Sequence, residues 1–257
     1  MNFELHIRSG RPEIEQFAER LGDHIASSGA TVVSGDDKPD MVLAVGGDGT
    51  MLAAVHSALR WDVPVLGFNL GTLGFLTEAD PGEVETVVGR LVSGDYQIDE
   101  RLTISASTGQ EPLVGINDVV VEKIDSTRLI SLEVVIDGTL FTTYRADGLI
   151  VATPTGSTAY SFSAGGPIVD PGVEALVLTP VASHSMFDRP LAIPADATIT
   201  ATVTRDRPVR VNVDKSALGP LGEGDSVTIR RGPVPARFVT FGGWTFPGLV
   251  REKFGLE

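Results

Sequence analysis

The chain has 257 residues, no cysteine, 42% hydrophobic residues and a formal net charge of −14. That length suits one large domain or two of ordinary size, with enough apolar material for a sizeable core. The lack of cysteine excludes disulfides and thiolate metal sites, and the negative field disfavours nonspecific contact with nucleic acid or anionic lipid, so an anionic ligand has to be held by local donors.

The N-terminal MNFELHIRSG lacks the basic-then-apolar order of a signal peptide, and no window reaches the roughly 18 uninterrupted apolar residues of a membrane span. The expectation is a soluble cytoplasmic protein with neither a membrane nor a nucleic acid as partner. Sixteen arginines and only four lysines (Lys38, Lys123, Lys215 and Lys253) make up the basic residues. A surface rich in Asp and poor in Lys suits a protein working in concentrated salt, where self-repulsion is screened. An ordinary acidic protein has the same composition, and unfolding at low salt separates the two.

In chain order, NFELHIR (2–8) alternates as a strand does, and residues 11–28 place Ile14, Phe17, Ala18, Leu21 and Ile25 at helical spacing. DMVLAV (40–45) is a buried-type strand that runs through GGDGT into a helix, TMLAAVHSAL (50–59). VPVLGF (63–68) is a further strand, and Asp80-Pro81 opens a helix over 80–92. Strands alternating with helices predict a Rossmann-like α/β domain with a parallel sheet and right-handed crossovers.

From about residue 96 the rhythm changes. LTISAS, DVVVEK, LEVVID, LFTTYRA, GLIVAT, TITATV, VRVNVD and SVTIRR are short β-rich runs separated by Gly, Asp and Pro, which predicts a mostly antiparallel β-rich domain, a β-sandwich. The expected organisation is an α/β domain over 1–95, a β-rich domain over 96–235 and an amphipathic tail, 236–257, packing back on the first domain. A ligand is expected in a crevice between the domains.

Three stretches carry candidate chemistry. Gly46-Gly47-Asp48-Gly49-Thr50 follows a buried strand, where glycines let a phosphate approach main-chain N–H groups at a helix N-terminus. It lacks the Lys-Ser/Thr of a Walker A loop and is not GxGxxG, because Asp48 stands inside the turn. Two readings are open: a tight turn in which Asp48 caps the helix, or a phosphate cradle with a carboxylate able to take the proton of an acceptor hydroxyl. NLGTLGFLTE (69–78) puts a second Gly-punctuated loop after the neighbouring strand, and two such loops at strand C-termini suggest one shared site. Its Phe75 is either core packing or an aromatic face for a base. The segment YRADGLIVATPTGSTAYSFSAGGPIVDP (144–171) is dense in small and hydroxyl residues, which suits close wrapping of a sugar, amide or base. Asn117 and Asp118 in GINDVVVEK stand together at a strand entry, where an Asx-turn is the plain alternative. The histidines, His6, His24, His56 and His184, are scattered, and His184 reads as structural.

GGDGT, NLGTLGFLTE, INDVVVEK, DGLIVATPTGSTAYSFSAGGPIVDP and LVLTPVASHSMFDRPLAIP, in this order and spacing, resemble the NAD kinase family from about residue 40 to 195, and WTFPGLVREKFG is similar to its C-terminus. GGDGT alone is shared with lipid kinases and 6-phosphofructokinases; TPTGSTAYSFSAGGPIV is far more specific. The resemblance implies phosphorylation of the adenosine 2′-hydroxyl of NAD from ATP or polyphosphate, giving NADP. It implies Asp48 as general base with Gly49 beside it, Gly46, Gly47 and Thr50 as phosphate loop, Phe75 in the adenine pocket, and Asn117 and Asp118 on the adenosine ribose and base. Asp147, Thr155, Thr158, Ala159, Tyr160 and Ser163 match positions around the nicotinamide half and the second nucleoside. The resemblance further implies Mg²⁺ bridging donor phosphates and a homodimer or homotetramer. Asp214-Lys215 stands where the family usually shows Asp-Gly, a departure that leaves the role of both open, and Lys215 is one of few cations able to meet a phosphate. A lipid kinase is not expected to show TPTGSTAYSFSAGG; a non-catalytic NAD(P) sensor is opposed by the retained Asp48; a dehydrogenase is opposed by the missing GxGxxG.

Overall fold

The first helix shows how the local pattern becomes structure. Residues Pro12–Ser27 open on a proline at the first turn, carry Glu13 and Glu15 beside the positive end of the helix dipole, and bury Ile14, Phe17, Ala18, Leu21 and Ile25 along one face. The computed structural model describes residues 1–8, 10–70, 74–205, 207–243 and 245–256. In chain order the elements are β1 (Asn2–Ile7), α1 (Pro12–Ser27), β2 (Thr31–Val33), β3 (Met41–Gly46), α2 (Asp48–Trp61), β4 (Val65–Asn69), α3 (Val84–Ser93) and β5 (Gln97–Arg101). There follow β6 (Ile104–Ser107), β7 (Leu113–Gly115), β8 (Asp118–Lys123), β9 (Ile130–Ile136), β10 (Thr139–Ala146), β11 (Gly148–Ala152) and α4 (Tyr160–Ser163). The chain continues through β12 (Ala175–Val181), β13 (Leu191–Pro194), β14 (Ile199–Val203), β15 (Val209–Val213), β16 (Ser216–Leu221), β17 (Ser226–Arg231), β18 (Ala236–Thr240) and α5 (Phe246–Phe254).

Two units result, Met1–Glu100 with Ala236–Glu257, and Arg101–Pro235. The first holds a six-stranded sheet in the order β2-β1-β3-β4-β18-β5, with β1, β3 and β4 pairing in parallel. Strand β3 is buried along its whole length. Met41, Leu43 and Val45 face a core shared with Phe17 and Leu21 of α1 and Val87, Val88 and Leu91 of α3; the Phe17 and Phe68 rings meet at 5.2 Å in that core. The C-terminal segment returns here because β18 pairs in parallel with β4.

The second unit is antiparallel throughout its paired strands. One sheet runs β10-β9-β14-β17-β6-β7 and the other β13-β12-β11-β8-β15-β16, and a single core draws on both, including Val119, Val121, Leu149, Leu132 and Ile199. Tyr144 is its largest fully buried side chain, and burial pushes the phenol up to about 12. Strands β8 and β11 are buried on their other face too, where Val120, Ile150 and Ala152 pack against Ala164 and Val181. That second buried face seats the segment after β11 that contains α4.

Among the described residues no helix is long and apolar enough to cross a membrane.

Candidate active site

In the first unit, GGDGT makes the strand-to-helix turn that the sequence predicts, but the capping role falls to a different residue. Gly47 is the N-cap of α2, and no side chain caps the helix; Asp48 is its first residue. The capping reading of Asp48 is therefore corrected. A side chain caps from the residue before the helix, whose backbone is still extended, and here that backbone is glycine's (φ −97, ψ −173). Two consequences follow. The first-turn N–H groups of α2 keep the anion-binding character of an uncapped helix start, and the Asp48 carboxylate is not used up locally. Its Oδ1 is buried and has no hydrogen-bond partner.

The neighbouring loop closes on that oxygen. Strands β3 and β4 are adjacent, with Gly46 opposite Asn69. Beyond β4 the chain returns so that Gly74 lies against Asp48: a Cβ at Gly74 would stand 2.3 Å from Asp48 Oδ1 and 2.8 Å from Thr77 Oγ1. The Gly74 N–H donates to Thr77 Oγ1 at 3.3 Å. Gly46, at φ +153, likewise leaves room for Thr50, whose Oγ1 is 2.5 Å from where a Cβ would be. Thus Gly46, Gly47, Asp48, Gly49, Thr50 and Gly74 form one turn cluster at the C-terminal edge of the sheet. Residues 71–73 of the predicted NLGTLGFLTE loop lie outside the described residues. Phe75 is half-buried, its ring 6.4 Å from that of Phe254 and 5.4 Å from Lys253 Nζ, both on α5.

In the second unit, Asn117 and Asp118 sit where the chain enters β8. The Asn117 carbonyl accepts from the Thr153 N–H at 2.8 Å, Thr153 Oγ1 donates to the Ile116 carbonyl, and the Gly156 N–H donates to Thr153 Oγ1 at 3.1 Å. Gly156 touches the Asn117 backbone so closely that a Cβ would be 2.0 Å from its carbonyl oxygen. The Asn117-Asp118 pair and the start of TPTGSTAY therefore form one packed cluster. Asp118 is buried; burial, reinforced by the Asp214 carboxylate, raises its pKa to about 7.

Thr155 is buried, and its carbonyl accepts from Thr158 Oγ1 at 3.3 Å. The Ala159 N–H donates to the Gly156 carbonyl at 2.9 Å, and Ser163 is exposed at the end of α4. Tyr160 opens α4 with 41% of its surface exposed; partial burial, then the charges of Glu122, Asp147 and Asp118, hold its phenol above the usual value. Asp147 is ion-paired with Lys123 Nζ at 2.5 Å, and that ammonium also donates to the Ser126 carbonyl at 3.0 Å. The hydroxyls of the segment are not all presented to a ligand: Ser157 bonds the Pro154 carbonyl and the Val169 N–H, and Ser161 bonds Thr179. The His184 backbone N–H donates to the Arg145 carbonyl at 2.7 Å.

Sequence reasoning missed Gly74 and Gly156 as contact glycines, Thr153, and the part Asp214 plays against residues 116–118. The glycines were visible only as members of motifs, and Asp214 lies some hundred residues from the strand entry it touches. Among the described residues no three His, Asp or Glu side chains gather in a way that could hold a metal ion.

Residues 12–96 match the family described as ATP-NAD kinase N-terminal domain, and residues 116–241 match the ATP-NAD kinase C-terminal domain. The NAD kinase of Heliobacterium modesticaldum is 43% identical over 220 residues, covering 83% of this chain and 78% of that one. A crystal structure of yeast NADH kinase complexed with NADH superposes with a TM-score of 0.89 at 25% identity, covering 100% of this chain and 88% of that one. An Archaeoglobus fulgidus NAD kinase in complex with ATP shares the fold, with a TM-score of 0.79 at 24% identity over 98% of this chain and 99% of that one.

Proposed function

We propose how this chain, which belongs to the NAD kinase family and transfers a phosphoryl group to NAD, carries out that transfer: Asp48 is the general base toward the adenosine 2′-hydroxyl, and the product is NADP. The 2′-oxygen bonds to the terminal phosphorus of the donor, its proton passes to Asp48, and the bond to the leaving phosphate breaks. A ribose hydroxyl is a poor nucleophile near neutral pH, and a positioned base is typically worth about 10²–10⁴-fold. The observation that carries the reading is Asp48 Oδ1, a buried carboxylate oxygen without a partner, beside an uncapped helix start. An unpaired buried acceptor costs stability, and a hydroxyl donor from a substrate would satisfy it.

Gly46, Gly47, Gly49 and Thr50 supply the phosphate-facing backbone in this reading, and Phe75 a face for the adenine. Asn117 and Asp118 hold the adenosine ribose and base, while Asp147, Thr155, Thr158, Ala159, Tyr160 and Ser163 contact the rest of the dinucleotide and the second nucleoside. The donor is ATP, which the description of the matched family supports. Magnesium arrives as part of the donor substrate, its positive charge offsetting the phosphates in a chain of net charge −14. The chain self-associates; the exposed Leu140, Phe141, Met186 and Phe187, with the Phe141 and Phe187 rings 5.3 Å apart, support this.

The test supplies NAD and Mg²⁺ with either ATP or polyphosphate, at low and at molar KCl, and assigns the phosphorylated position by phosphorus and proton NMR. NADP from ATP is expected. Phosphate at another hydroxyl, or transfer from polyphosphate alone, overturns the corresponding part of the reading.

A further inference from the structure

The entry to β8 is bent in a way that a strand does not need. Three consecutive backbone N–H groups converge on one carboxylate: Ile116 donates to Asp214 Oδ2 at 3.0 Å, while Asn117 and Asp118 donate to Asp214 Oδ1 at 2.8 and 3.2 Å. The Asp214 N–H returns a bond to the Asp118 carbonyl at 2.8 Å. Successive amides aimed at one anion form a nest, and bonds to an ionised acceptor are roughly twice as strong as neutral ones. In a regular strand, successive N–H groups point to opposite sides, so this convergence fixes the chain direction at Asn117 and the side on which its amide emerges.

The turn that delivers Asp214 is itself specialised. Val213 pairs with Ser216, leaving Asp214-Lys215 as a two-residue connection between β15 and β16, and Asp214 is left-handed at φ +50, a conformation that Asp tolerates better than most residues. Burial first, and then the Asp214 charge, raises the pKa of Asp118. That electrostatic conflict costs folding stability, and against it stand the three bonds that the carboxylate accepts from the 116–118 backbone.

We propose that Asp214 is a positioning residue for the reaction: its carboxylate holds the 116–118 peptides so that the Asn117 and Asp118 side chains are presented to the dinucleotide acceptor. This rests on the reading that Asn117 and Asp118 bind that acceptor. Asp214 acts on acceptor binding, not on the transfer step.

The experiment measures kcat and separate KM values for NAD and ATP in the full chain carrying Asp214→Ala, Asp214→Asn or Asn117→Ala, each checked by thermal melting. Asp214→Ala is expected to raise KM for NAD about tenfold with kcat changed less than about threefold and KM for ATP unchanged. Asp214→Asn keeps one accepting oxygen and the size of the side chain, so it falls between, and it decides the question if the alanine variant does not fold. The amide proton resonances of residues 116–118 are expected to move in Asp214→Asn. An unchanged KM for NAD in folded Asp214 variants, or a loss confined to kcat, overturns the proposal alone when Asn117→Ala raises KM. If Asn117→Ala also leaves KM unchanged, the reading of the Asn117-Asp118 pair fails and the proposal falls with it.

Discussion

The two candidate clusters are built on opposite principles. In the first unit, the Asp48 carboxylate is presented by a bare glycine turn and keeps an oxygen unpaired in a buried place. In the second, Asn117 and Asp118 are tied down through their backbone by Thr153, Gly156 and Asp214. A group that must accept a proton during reaction needs free acceptor capacity, while a group that holds a substrate needs a fixed position. The difference teaches where tolerance to change lies: around Asp48, small changes should damage chemistry before stability; at the close approach of Gly156 to the Asn117 backbone, they should damage stability first.

That contrast can be broken by glycine substitutions on each side. Gly156→Ala would force a methyl to 2.0 Å from the Asn117 backbone carbonyl oxygen, which cannot swing aside as a side chain can, and the second unit should lose about 3 kcal/mol or more, read as a lower urea midpoint. Gly74→Ala meets only the ends of the Asp48 and Thr77 side chains. It should cost about 1 kcal/mol of stability but reduce turnover by about 10²-fold, the penalty for displacing a catalytic group by roughly 1 Å. Equal stability losses in the two variants would erase the contrast.

Asp118 sharpens it through pH. Its folded pKa, about 7, lies above the ordinary carboxylate value of 3.8, so the folded state holds the proton more tightly than the unfolded chain. Stability therefore falls as pH rises from about 4 to about 7, and the cost is fully present above that window. Asp118→Asn should stabilise the fold at pH 8 by on the order of 2 kcal/mol, below the ~4 kcal/mol ceiling that the whole shift sets. The gain should vanish at pH 4, and denaturant melts at the two pH values check it. A smaller effect concerns the whole chain: with a net charge of −14, molar KCl should raise the melting temperature by a few degrees through screening of self-repulsion. An unchanged melting temperature would identify an ordinary acidic protein.

Much of the fold was legible because its signals are local. Ile14, Phe17, Leu21 and Ile25 mark α1 by spacing, the apolar run at 41–45 marks a strand buried on both sides, and the β-rich runs after residue 96 mark the antiparallel unit. What was not legible depends on distant partners. Strand β18 joins the first sheet beside β4, at Phe238 opposite Val65, and a pairing across so much chain leaves no periodic trace. Strand β2 has only three residues. In the site, GGDGT announced a turn with a carboxylate, but whether Asp48 or Gly47 caps α2 depends on one residue's backbone angles. The contacts of Gly74 with Asp48, Gly156 with Asn117 and Asp214 with residues 116–118 are close approaches made only on folding; the sequence shows the residues and not their distances.

The most direct test compares Asp48→Asn with the unaltered chain, measuring NADP formation from NAD and MgATP and, separately, NAD binding by calorimetry. A general base with an unpaired oxygen predicts turnover lower by about 10²–10⁴-fold with NAD affinity within about threefold, since Asn keeps the size and one accepting oxygen but loses the charge and basicity of the carboxylate. Turnover near that of the unaltered chain would contradict the assignment of Asp48 as base.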